Sequence, residues 1–139
     1  MRVATPGGGL TLRAGGAAQE FTVTLRNGNT RAYRHLTLAL QMEIMPGATA
    51  DPAYRLERWD ASAGTWRAAT LRIANDVYPY ELATGGTALA KDAVVTHRYR
   101  IRAATGAASG PNPLMIGLID TDADTRVQRA SLPQTTLAP

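Results

Sequence analysis

The chain contains no cysteine, a single lysine (Lys91) and a single phenylalanine (Phe21). Without thiols there are no disulfides, no thiolate zinc sites and no cysteine nucleophile. No run approaches the ~18 apolar residues that a membrane-spanning helix needs. The longest apolar stretch, Leu114–Ile119, has the length of a strand. The N-terminal segment MRVATPGGGLTLRAGG carries one early Arg but no apolar core of signal-peptide length. The expectation is a product used without export, or one in which Met1 stands in place of a removed leader. Helical periodicity over any long window is absent, as are internal repeats. The Gly7-Gly8-Gly9 triplet lacks the Lys-Ser/Thr that a phosphate loop requires.

What is present is alternation. In Gln19–Arg26, Phe21, Val23 and Leu25 share one face while Thr22, Thr24 and Arg26 share the other. In Val94–Arg102, Val95, His97, Tyr99 and Ile101 alternate with Thr96, Arg98, Arg100 and Arg102. A period of two marks half-buried strands. The same period runs from about Tyr33 to Ile44, through Leu36, Leu38, Leu40 and Met42. Leu10 and Leu12 open a short strand ended by Gly15-Gly16, and Asn27-Gly28-Asn29 is a turn. Tyr54–Asp60 and Thr65–Ala69 read as a hairpin around Ala61-Ser62-Ala63-Gly64, with Trp59 and Trp66 close enough to pack across it. Tyr78-Pro79-Tyr80 reads as an edge or a crossing loop. Pro113–Asp120 and Arg126–Leu132 form a last hairpin.

These about seven to nine short strands, with turns at regular spacing, predict an all-β antiparallel sandwich of immunoglobulin-like or fibronectin-like type, with Greek-key connections. One domain is expected over 10–132, flanked by a flexible arm at 1–9 and a tail at 133–139. A chain of 139 residues suffices for a core without metal or disulfide.

The formal net charge of +4 comes mostly from fourteen arginines scattered along the chain. No block of like charge interleaved with aromatics emerges, so nucleic acid is not an expected partner. Candidate chemistry is thin. Asp120, Asp122 and Asp124 alternate as a calcium loop begins, but the turn Gly and the closing Glu are missing, so a hairpin turn is expected. His35 and His97 are the only histidines; Ser62, Ser109 and Ser131 lie in or beside turns, with no nucleophile elbow. Glu43, Glu57 and Glu81 offer carboxylates without a sugar platform beyond the two tryptophans. No catalytic residue, cofactor or metal site is expected.

The segment FTVTLRNGNTRAYRHLTLAL, the hairpin YRLERWDASAGTWRAAT and the strand HRYRIRA resemble the Ig-like β-sandwich modules of actinobacterial surface and secreted proteins. The matching positions are Phe21–Asn29, Trp66-Arg67 and Tyr99–Arg102, all packing or turn residues. Similar sandwiches also serve as accessory domains on phage virions. The resemblance therefore implies a non-enzymatic structural or interaction protein. The leading form is a capsid decoration or accessory protein in the virion of an actinobacterial phage, partnered by a protein lattice and open to homo-oligomerisation. The alternative is a secreted or wall-associated adhesion or carbohydrate-binding module. Ends poor in apolar groups are expected to need a neighbour to hold them, with Val3, Leu10 and Leu137 as anchors; Trp59 and Trp66 are the candidate contact residues on the body.

Overall fold

The computed structural model describes residues 1–139. Its strands are, in chain order, β1 (Arg2–Ala4), β2 (Leu10–Arg13), β3 (Gln19–Arg26), β4 (Tyr33–Met42) and β5 (Tyr54–Asp60). Then come β6 (Thr65–Ala69), β7 (Arg72–Ile73), β8 (Thr87–Leu89) and β9 (Val94–Ala103). The last are β10 (Gly110–Pro111), β11 (Leu114–Asp120), β12 (Thr125–Leu132) and β13 (Gln134–Leu137). One 3-10 turn, Tyr80–Leu82, is the only helical element.

A front sheet has the order β1-β3-β9-β5-β6, and a back sheet the order β12-β11-β4-β7, with β8 also pairing β4. Within them, β1-β3-β9-β5 and β12-β11-β4 follow the A-B-E-D and G-F-C orders of an immunoglobulin-like sandwich, with β6 and β7 added at the edges. A small side sheet, β10-β13-β2, includes the parallel β13–β2 pair. The fold is all-β and antiparallel apart from β13–β2 and β4–β7.

Alternation puts Phe21, Val23 and Leu25 of β3, Tyr99 and Ile101 of β9, and Tyr54 and Leu56 of β5 on the inner side of the front sheet. They meet Leu36, Leu40 and Met42 of β4 and Leu114, Ile116 and Leu118 of β11. Phe21 and Tyr99 are cross-strand partners and stack at 5.2 Å between ring centroids. Ile101 is wholly buried, so truncating it to Ala should cost about 2–5 kcal/mol. Leu38, expected in this core, is only half-buried, because it borders a cleft rather than a facing side chain.

The ends depart from expectation. Residues 2–4 pair with β3, Val3 opposite Val23, and residues 134–137 pair with β2. Gln134 and Thr136 are buried, and Thr136 Oγ1 lies 2.8 Å from the Tyr54 hydroxyl. Neither end is a free arm: the order of both comes from strand pairing inside this chain. Five short strands, β1, β7, β8, β10 and β13, carry the count beyond nine. β4 ends at Met42 rather than Ile44. Beyond it, side-chain amides take over the backbone donors: Glu43 N–H donates to Asn112 Oδ1 at 3.1 Å and Ile44 N–H to Asn75 Oδ1 at 2.8 Å.

Candidate functional site

The outer side of the front sheet is assembled by register. Residues that alternate with the buried positions of β1, β3, β9, β5 and β6 all point away from the core, and none of them is buried. Six arginines stand there: Arg2, Arg26, Arg55, Arg98, Arg100 and Arg102. Two glutamates, Glu20 and Glu57, oppose them, which leaves four net positive charges, equal to the whole chain's formal +4. The rest of the molecule is balanced. The arginines that looked scattered in sequence therefore form one basic face.

Two of the six are neutralised. Arg98 pairs with Glu20 at 2.5 Å and Arg100 with Glu57 at 2.5 Å. The Arg100 hydrogen bond, opposed in part by burial, holds the Glu57 carboxyl below its ordinary range. Arg2, Arg26, Arg55 and Arg102 have no carboxylate partner. Arg55 and Arg102 are direct cross-strand partners. Like charges in that position destabilise a sheet, and the repulsion is offset only in part by Glu57, which lies near enough to feel the charge of Arg102.

Trp59 and Trp66 sit at one end of this face as cross-strand partners, their rings at 5.4 Å and 68°. The Arg98 guanidinium lies over both indoles, at 5.3 and 5.0 Å, and Arg100 over Trp66 at 4.6 Å. The indoles thus already hold cations, and they fix the arginines more than they offer open stacking platforms.

On the inner side, the apolar layers run out toward β6. Leu56 is followed inward by Arg58, Ile101 and Tyr99 by His97, and Ala69 by Arg67. Across from them stand Thr37, Leu38 and Leu40 of β4, with the segment from Tyr78 to Thr84 as a roof. The result is a cleft of about 730 Å³. At its mouth, Asp60 accepts hydrogen bonds from the Ser62 hydroxyl, the Ala63 N–H and Arg67, and its pKa falls to about 2. Burial, and then the charge of Arg58, lowers the His97 pKa; burial raises that of Tyr99, which Arg58 partly offsets.

The other residues singled out in the sequence are distributed apart from these sites. Leu10 is 3% exposed in the core and so is not an external anchor, a correction that follows from β2 facing inward. Val3 points inward against the core, and Leu137, 39% exposed, ends β13. Asp120, Asp122 and Asp124 form the β11–β12 turn. Asp120 Oδ1 accepts the Asp122 N–H at 3.1 Å, Asp122 lies 2.9 Å from His35 Nδ1, and Asp124 takes a φ of 54°. Glu43 and Glu81 are exposed. Arg58 and the basic face were missed; the one local signal was the Arg98-Arg100-Arg102 alternation.

Fold and face together define an Ig-like sandwich with one charged, uncovered sheet. No family model matches the sequence, and no curated protein matches it. AvmM, which catalyzes macrocyclization in alchivemycin A biosynthesis, has a similar structure. Its TM-score is 0.55 at 16% identity, over 99% of this chain and 89% of that one. A family 123 glycoside hydrolase from Clostridium perfringens, described for glycolipid glycan hydrolysis, matches with a TM-score of 0.53 at 8% identity. That match covers 93% of this chain but only 22% of the hydrolase. SSP-19, an MSP-domain protein like family member in Caenorhabditis elegans, gives 0.47 at 11% identity over 99% of this chain and 100% of that one. At such identities the likeness is one of fold.

Proposed function

We propose that the protein is a non-catalytic interaction module that docks an anionic glycan polymer on the outer side of its front sheet, in an extracellular or wall-associated setting. One observation carries this reading: the net charge of that face equals that of the whole chain, with Arg55 and Arg102 held opposite each other and neither in an ion pair. A bound polyanion relieves that repulsion and releases its own counter-ions, so affinity falls as salt rises. The indoles hold Arg98 and Arg100 in place, which favours charge-led recognition along a chain over stacking on bases or neutral sugars. Placement in a virion lattice drew part of its support from ends expected to be held by neighbours. The ends are held by β2 and β3, so the wall-associated reading takes precedence.

The test is a titration with polygalacturonate, neutral dextran and duplex DNA at several salt concentrations. Salt-sensitive binding of polygalacturonate, absent with dextran and lost in the Arg55→Glu/Arg102→Glu double variant, supports the proposal. Equal binding by the double variant, or none by the native protein at low salt, overturns it. Stronger binding of DNA would move the partner to nucleic acid.

A further inference from the structure

We propose that the cleft between the two sheets is a binding site for a small amphipathic carboxylate. Trp59 and Arg98 line it at its border with the outer face, but Arg58 and His97, the groups that hold the ligand, stand at inward register positions. Its floor is apolar, made by Leu38 and Leu40, and Leu82 and Tyr78 close it from above. At the edge of this apolar bed stand two polar groups at inward register positions: Arg58, exposed to solvent and lying against the Tyr99 hydroxyl, and the half-buried His97. Arg58 belongs to no ion pair, and the His97 ring makes no hydrogen bond within the chain.

Each feature restricts the ligand. A guanidinium presents a planar fork that a carboxylate fills with two parallel hydrogen bonds. Of the three arginines that line it, Arg67 is neutralised by Asp60 at 2.7 Å and Arg98 by Glu20 at 2.5 Å, so the cleft offers one unpaired positive charge, that of Arg58. That suits a monoanion. The apolar floor then takes a hydrocarbon or aromatic tail, and about 730 Å³ falls within the usual size of small-molecule sites.

Octanoate is the probe, with octanol as its uncharged counterpart, followed by amide chemical shifts in the full chain. The expected result is saturable octanoate binding with shifts at Leu38, Arg58, Leu82 and His97. Octanol should bind about tenfold or more weakly, since a charged hydrogen-bonded pair is lost. Arg58→Gln should lose a similar factor for octanoate and leave octanol unchanged, whereas Arg55→Glu/Arg102→Glu should bind octanoate as the native chain does. Absence of saturable binding, shifts confined to the outer face around Arg55 and Arg102, or native affinity in Arg58→Gln overturns the proposal. Should Arg58→Gln fail to fold, Leu38→Phe, which fills the floor, gives the same readout: unchanged octanoate affinity overturns it.

Discussion

The two sheets treat their outer sides differently. On the back sheet, Ala39, Gln41 and Ile119 point away from the core yet are buried. The chain supplies their cover: the segment Ala74–Tyr80 lies along that face. Gln41 Nε2 donates to the carbonyls of Ala74 and Asp76, at 3.3 and 2.6 Å, and its Oε1 accepts from Arg72, which in turn grips Asp76. The front sheet has no such cover, and six arginines and two glutamates stand among its outward positions. One face is closed by a latch within the molecule; the other is kept soluble by charge and left available.

The sharpest test of this contrast is truncation on each outer face. Ile119, 1% exposed, should behave as a core residue, so Ile119→Ala should cost about 2–5 kcal/mol in chemical denaturation. Arg26→Ala on the front face should change stability by about 0.5 kcal/mol or less. Equal effects would erase the distinction.

A smaller loss is expected from the latch. Gln41→Ala removes a buried side chain that satisfies two carbonyls and one guanidinium, and should destabilise by about 1–3 kcal/mol. Proteolysis should then cut first within 74–80. A native digestion pattern would show that the cover does not depend on Gln41.

The front face should give the opposite sign. Arg102→Thr removes the charge facing Arg55 and should stabilise by roughly 0.2–1 kcal/mol in low salt, an advantage that shrinks as salt screens the pair. It should also weaken polygalacturonate binding. Destabilisation at low salt would contradict the repulsion.

The gentlest effect is on pH. His97 has a folded pKa below its ordinary value of 6.5, so the unfolded chain binds more protons between those two values. Stability should therefore be full above about 6.5 and decline as pH falls through that value toward the folded pKa. The decline should be shallower in His97→Gln. An unchanged slope would place the titration elsewhere.

Much of the sandwich was legible because its long strands carry their own pattern. The β5–β6 hairpin, its four-residue turn and the Trp59–Trp66 pairing follow from local residues alone, as do the inward Phe21, Val23 and Leu25. β1 and β13 were not legible. Strands of three and four residues have too few positions to show a period, and their partners lie far along the chain. The basic face needed more than periodicity. Arg98, Arg100 and Arg102 were seen to share a side, but Arg2, Arg26 and Arg55 join them only through the order β1-β3-β9-β5. The cleft was hidden for a similar reason. Arg58 stays exposed, and only its register opposite Tyr99 sets it at the cleft.

The parallel β13–β2 pair has a mechanical consequence. The two strands run the same way, with Leu10 N–H donating to Pro133 O at 2.8 Å and Ala14 N–H to Leu137 O at 2.9 Å, at opposite ends of the ladder. Tension that enters before β2 and leaves after β13 pulls them past each other along their length. The ladder's bonds are then loaded together in shear instead of opening one at a time like a zipper. Once β1 has peeled from β3, this short side sheet is the clamp that bears the force, and the sandwich behind it is shielded until the clamp yields.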